Sequence, residues 1–260
     1  ESDILFPGKP KMYATTSGTT AEPKWIPITH KYFSDVYGKM NKLWLDNFIQ
    51  ANRDAFKGGV VTIVGKAIEG NAPDGTVYGS VSGVSFTNCP AFVQKVYSAP
   101  PCVFEIADYK ARYYTIMRLG VEFNTTLLLT ANPSTFVEMQ NNVNEYFDDY
   151  VNDIEHGTLK KDLNIPAHVR AELEARIKPN PERAAELRRI KAEHSIVLPK
   201  HYWPDLAVVT TWHCGNTKRY LDKLTDSFPE TAVQPEFGYF ASECRAGLVM
   251  NQKDDTTLFA

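Results

Sequence analysis

The chain has 260 residues, 43% of them hydrophobic and 12% aromatic, enough apolar side chain for one large core or two modest ones, which excludes disorder and small disulfide scaffolds. Lysine and arginine total 28 against 31 acidic residues, a net charge of -3 that excludes any global electrostatic pull toward nucleic acid or an anionic membrane. Any anion this chain binds must be held locally.

Four cysteines, Cys89, Cys102, Cys214 and Cys244, are widely separated and show neither metal-ligand nor redox spacing, so they are expected to be buried small hydrophobes in a reducing compartment. No basic-then-apolar leader opens the chain, and no apolar run approaches the ~18 residues that cross a bilayer. A cytoplasmic location is therefore the expectation, with no nucleic-acid or membrane partner. The absence of an initiator Met, and a final segment Thr256 to Ala260 that reads as a strand beginning, suggest a piece of a longer protein.

In chain order, a short apolar segment around Met12 to Ala14 leads into a loop of Gly, Ser and Thr. Trp25-Ile26-Pro27-Ile28-Thr29 follows, extended by its proline and β-branched residues. From Lys31 to Phe56 apolar residues recur at helical spacing, with Thr29 available as a cap. Gly59 to Gly65 and Thr125 to Thr130 are compact apolar runs of the kind buried on both faces of a parallel sheet. Tyr109 to Leu119 and Pro133 to Ile154 read as helices, so strand and helix alternate as in α/β proteins.

The character changes from about 155 to 195, where Val169 to Arg176 and Glu182 to Arg189 form charged helices separated by Pro179 and Pro181. Their arginines are interleaved with acidic residues at ion-pair spacing, which predicts a solvated face rather than an RNA-binding patch. Leu206 to Thr211 returns to strand, a helix follows around Lys218 to Leu224, and Val233 to Tyr239 reads as extended.

The chemistry centres on Thr15-Thr16-Ser17-Gly18-Thr19-Thr20-Ala21-Glu22-Pro23-Lys24. A run of hydroxyls and glycine between two extended segments presents backbone N–H groups and side-chain hydroxyls to phosphate oxygens, with a lysine to neutralise charge: Ser17, Gly18, Thr19, Thr20 and Lys24. A nucleoside triphosphatase P-loop needs a glycine directly before the lysine and Ser or Thr after it, opening a helix, whereas here Pro23 precedes Lys24 and Trp25 follows. Pro23 also turns Glu22 away from helical geometry, so the loop should return into a strand. A solvent-exposed Ser/Thr/Gly turn is the plain alternative on composition alone.

The order of these residues resembles the phosphate-binding signature of the adenylate-forming superfamily, in which Ser/Thr-Gly-Thr/Ser-Thr/Ser is followed within a few residues by Pro-Lys. Far downstream, Gly238-Tyr239-Phe240-Ala241-Ser242-Glu243 resembles the aromatic-x-x-Ser/Thr-Glu motif of that superfamily. Ala-Ser-Glu in that motif, together with Gly79 to Gly83, Phe104 to Ile106, Thr130 to Thr135 and Lys178 to Arg183, is similar to the acyl acid amido synthetase family, relatives of the plant enzymes that conjugate hormone acids to amino acids. The likeness runs over nearly the whole chain, and the charged helices and Tyr202 to Leu206 resemble the bacterial branch.

This resemblance implies an α/β fold: part of the large N-terminal domain of an adenylate-forming enzyme, with mixed and parallel sheets flanked by helices and a charged helical insertion at about 138–196. Residues 1–260 would form one fragment of that domain, and the family's C-terminal domain and ribose-binding aspartate are not found in it. The implied reaction uses ATP and Mg2+: a carboxylate attacks the α-phosphate to give acyl-adenylate and pyrophosphate, and an amine then displaces AMP to form an amide. The partners would be a small acyl acid and an amino acid or other amine.

In that reading Ser17, Thr19, Lys24 and Glu243 act in catalysis, Glu243 also as the magnesium ligand. Ser17 to Thr20 and Tyr239, Phe240, Ala241 and Ser242 bind the nucleotide. Trp212 and Gly215 are candidates for substrate contact, a core position being the alternative for Trp212. His213 has no acyl-enzyme to serve when the adenylate is the activated species, and the other histidines are expected on the surface or at caps. An acyl-coenzyme A ligase of the same superfamily and a non-catalytic domain of the same fold are the alternatives.

Overall fold

The computed structural model describes residues 6–15, 24–241, 244–251 and 256–259. In chain order the elements are β1 (Met12–Thr15), β2 (Trp25–Ile28), α1 (Lys39–Ala51), β3 (Gly59–Thr62), β4 (Gly70–Asn71), β5 (Val77–Gly79), α2 (Val81–Thr87) and α3 (Ala91–Gln94). Then come α4 (Tyr109–Glu122), β6 (Thr125–Leu129), α5 (Ser134–Glu145), α6 (Phe147–His156), α7 (Ala167–Arg176) and α8 (Pro181–Glu193). The chain continues through α9 (Pro199–Tyr202), β7 (Val208–Thr210), α10 (Lys218–Leu221), β8 (Gly247–Asn251) and β9 (Thr256–Phe259). They fall into two compact units, one of Glu1–Ala51, Val64–Cys89 and Phe237–Ala260, the other of Asn52–Ile63 and Pro90–Glu236.

The first unit holds a mixed sheet in the order β2-β1-β5-β4, with β1 antiparallel to β2 and parallel to β5. Met12, Ala14 and Ile28 are buried on one face, where Val77, Val81 and Phe33 pack against them. The predicted long helix is divided. Thr29 caps it as expected, its Oγ1 accepting the Tyr32 N–H at 3.0 Å, but Tyr32–Gly38 winds in wide π-type turns before α1. Tyr37 lies against both Tyr32 and Phe33, and the five-residue spacing of the first pair suits wide turns. Asn52, at φ -133 and ψ 57, leaves helical geometry and ends α1 early.

The second unit is built on a parallel sheet, β3-β6-β7. The apolar runs predicted for a doubly covered sheet occupy it, and β6 is buried along nearly its whole length. Threonines on these strands satisfy their hydroxyls on main-chain carbonyls: Thr62 on Leu129 at 2.8 Å, Thr126 on Ala55 at 2.9 Å and Thr210 on Pro235 at 3.1 Å. The predicted extended run after residue 233 makes only isolated bridges, Val208 with Val233 and Thr211 with Glu236. Pro235 between them has no N–H for a ladder. Likewise, the helix expected from 133 to 154 breaks at Tyr146, φ -113 and ψ 23, into α5 and α6.

Buried within this unit is a polar cluster. Arg118 on α4 is fully buried; its Nη2 donates to the Asp153 carbonyl at 2.9 Å, its Nε to the Thr158 carbonyl at 3.3 Å, and its Nη1 pairs with Glu122. The Asp153 carboxylate accepts from Tyr114 Oη at 2.8 Å, Thr158 Oγ1 at 2.7 Å and the Lys160 N–H at 2.8 Å. Between these partners Gly157, at φ +64, ends α6 in the left-handed region, and a Cβ there would collide with the backbone of Lys178 and Pro179.

Two expectations are corrected. The charged helices α7 and α8 are not a uniformly solvated face. Arg183 is mostly buried and donates to the carbonyls of Val121, at 2.9 Å and 3.0 Å, and Tyr202, while Arg170 donates to those of Leu159, Lys160 and Leu163 at 3.1–3.2 Å. A guanidinium has five donors, so it satisfies several carbonyls at helix ends and in loops at once. The cysteines also differ: Cys102 is buried, but Cys214 and Cys244 are exposed because they lie on turns that border strands rather than in them.

The histidines behave as expected, His201 Nδ1 accepting the Leu198 N–H at 3.1 Å as a cap at the start of α9. No helix among the described residues is long and apolar enough to cross a membrane.

Truncating a member of the buried cluster strands its partners, whereas an exposed ion pair has little to lose. Asp153→Ala is expected to lower unfolding stability by about 3 kcal/mol in a denaturant titration. Arg188→Ala, which removes the exposed pair with Glu155, should leave the midpoint unchanged.

Candidate functional site

The arms of the Thr15 to Lys24 loop are β1 and β2, paired antiparallel in the register Met12 with Ile28 through Thr15 with Trp25. The chain thus returns into a strand, as Pro23 before Lys24 predicts, and among the described residues the loop is followed by β2 and not by a helix N-terminus. Trp25 braces the base of the loop, meeting the edges of Tyr13 at 5.8 Å and Tyr78 at 4.8 Å between centroids. Tyr13 Oη donates to Asp74 at 3.2 Å. Lys24 is exposed at the start of β2, where its ammonium can meet an anion. Ser17, Gly18, Thr19 and Thr20 lie outside the described residues.

The second segment belongs to the same unit and doubles back on itself. The Tyr239 carbonyl accepts the N–H groups of Ala246 at 2.9 Å and Gly247 at 2.8 Å, Phe240 pairs antiparallel with Arg245, and Ala241 N–H donates to the Cys244 carbonyl at 2.8 Å. Gly238 enters this turn at φ +98. Tyr239 is 62% exposed, so a flat ligand has a ring to lie on. Ser242 and Glu243 lie outside the described residues. Among the described residues no group of three or more His, Cys, Asp or Glu is placed to hold a metal ion.

Sequence reasoning missed Arg245, which anchors the turn. Its side chain is buried with the guanidinium carbon 4.9 Å from the Phe240 ring centroid, 5.7 Å from Trp44 and 5.9 Å from Phe237. Burial lowers its pKa, and its own N–H donates to Tyr32 Oη at 3.1 Å. The local signal was its place two residues after Ser242-Glu243 amid aromatics.

Trp212 and Gly215 follow β7 in the other unit. Trp212 N–H donates to the Ala131 carbonyl at 3.0 Å, and His213 N–H to Glu236 Oε2 at 2.6 Å. Trp212 is half-buried rather than a core residue. Gly215 stands at φ +66 with open space where a Cβ would lie, so conformation rather than crowding calls for glycine. Glu236, buried and bonded to the segment after β7, was also missed, because a lone acid in an extended run has no motif to mark it.

These features define the class: an α/β fold in which a hydroxyl-rich loop sequence between two paired strands and an aromatic turn belong to one unit. The GH3 family N-terminal domain matches residues 1–233, and the chain belongs to the GH3 family. Among solved structures, it is similar to that of "GH3.15 acyl acid amido synthetase", with a TM-score of 0.75 and 19% identity over 93% of this chain and 42% of that one. It is also similar to "AtGH3.15 acyl acid amido synthetase in complex with 2,4-DB", with a TM-score of 0.76 and 19% identity over 93% of this chain and 43% of that one. The shared fold is what these likenesses establish, and the chain spans about two fifths of the length of either structure. Comparison with curated proteins returns no match.

The cysteines give a direct test of the local environments. Burial, with Glu172 adding to it, pushes the Cys102 thiol up to about 12, and the thiolate is the reactive form. Titration with a chromogenic disulfide at pH 8 should label Cys214 and Cys244 in the folded protein and Cys102 only after denaturation, with peptide mapping as the readout.

Proposed function

We propose that this chain is part of the large N-terminal domain of an acyl acid amido synthetase, with 138–196 as its helical insertion, that activates a carboxylic acid with ATP and passes the acyl group to an amine. The observation that carries this reading is the phosphate-loop sequence between two paired strands in a chain of the GH3 family. The structural neighbours are named as such synthetases, and one holds the small acid 2,4-DB, which supports a small-molecule acid as substrate.

ATP supplies the α-phosphate that the acid's carboxylate attacks, giving acyl-adenylate and pyrophosphate; the amine then adds to the acyl carbon, AMP leaves, and an amide forms. The chain's own groups act by managing charge. The backbone N–H groups and hydroxyls of Ser17, Gly18, Thr19 and Thr20 hold phosphate oxygens, and Lys24, exposed at the end of that loop, offsets their charge. The exposed Tyr239 ring lies against the adenine, with Phe240 and Ala241 continuing the contact, while Ser242 reaches the α-phosphate. Glu243 would hold Mg2+, which would offset phosphate charge, and Trp212 and Gly215 would line the acid's pocket.

No side chain is required as a nucleophile, so the site rests on orientation. In the full-length protein, Ser17→Ala and Glu243→Ala are each expected to lower acid-dependent exchange of labelled pyrophosphate into ATP by about 100-fold. Exchange at the wild-type rate in either variant would overturn the site. Trapping of the activated acid by hydroxylamine or amino acids, and not by coenzyme A, is the result expected of an amide-forming enzyme.

A further inference from the structure

The second unit encloses a cavity of about 500 Å3 at the end of its parallel sheet where β6 begins. The segment after α3 and the last turns of α4 and α7 meet around it. Leu119 and Leu173, both buried, give it an apolar lining, and Phe123 presents a ring at its mouth that is 51% exposed. Large apolar side chains left in water beside a cavity lose free energy that a ligand recovers by covering them.

The charges on its rim say what kind of ligand this is. On the rim stand Lys95 and Lys178, both exposed, and among the described residues neither ammonium is in an ion pair. The acid that lines the cavity, Glu122, is committed to Arg118, and the rim's Arg176 to Glu172 at 2.7 Å. Two uncompensated cations above an apolar pocket are complementary to an anionic head on an apolar body.

The location separates this cavity from the chemistry proposed above. Ligands of open parallel sheets gather at the carboxyl ends of the strands, where Thr130 and Thr211-Trp212 lie, whereas Phe123 stands two residues before the start of β6. We propose that the cavity is a second binding site, for a small aryl or alkyl carboxylate, with the carboxylate between Lys95 and Lys178 and the body against Leu119, Leu173 and Phe123. The carboxylate is bound there unreacted, so the site stands whether or not the chain belongs to an amide-forming enzyme.

Calorimetric titration of the 260-residue chain with sodium octanoate tests it. One saturable site is expected, weakened at least tenfold in Lys95→Glu/Lys178→Glu and severalfold in Phe123→Ala, with circular dichroism and melting temperature unchanged in both. Lys42→Glu/Lys223→Glu, which changes net charge equally at exposed positions elsewhere, should bind as the wild type does. No saturable binding, or equal weakening in both charge-reversed variants, overturns the proposal. So does binding that Trp212→Ala abolishes and Lys95→Glu/Lys178→Glu keeps, since the acid would then occupy the acyl pocket. Loss of pyrophosphate exchange in the full-length protein is not expected of the Lys95 and Lys178 variant, which keeps the failure of this site distinct from failure of the catalytic reading.

Discussion

Burying Arg118 without solvent is tolerable only because its donors meet the carbonyls of Asp153 and Thr158 and the carboxylate of Glu122. Those carbonyls lie at the end of α6 and just past it, so one side chain on α4 sets where the next helical hairpin turns. The Asp153 carboxylate closes the arrangement by gathering Tyr114, Thr158 and the Lys160 N–H. Charge, burial and chain direction are mutually dependent here. Remove one group, and the others are left as unpaired polar atoms inside the second unit.

The same economy is repeated at lower depth. Arg183 takes up carbonyls at the ends of α4 and α9, Arg170 those of the loop after α6, and Asn144 binds Val197 in both directions, its amide donating to the carbonyl at 2.8 Å and accepting the N–H at 2.9 Å. Side chains thus substitute for secondary structure wherever the chain crosses between helices. The parallel sheet itself is short, three strands of three to five residues.

What could be read in advance follows from the range of the interactions involved. The β6 run and the β3 run were legible because burial on both faces makes an unbroken apolar stretch, and Pro23 announced the return into β2 because its effect acts on the residue beside it. The Thr29 cap is likewise local. The break at Tyr146 and the wide turns before α1 were not legible, since apolar spacing continues through both. Arg183 read as surface because its partner Val121 is 62 residues away, and nothing in the spacing of charged helices reveals a bond of that range. At the candidate site, the loop and the aromatic turn were legible as ordered motifs, while the reach of Arg245 to the ring of Trp44, far back in the chain, and of Glu236 to a main-chain N–H is recorded by no motif.

The double acceptance at the Tyr239 carbonyl bears on how this segment tolerates change. The main-chain donors of Ala246 and Gly247 fix the position of residue 239. Ring identity and ring location are therefore separable: a phenylalanine or tryptophan at this position would be delivered to the same place by the same amides. Sequence latitude at the aromatic, joined to strictness at the glycine that lets the turn form, is the pattern of inheritance such a device permits.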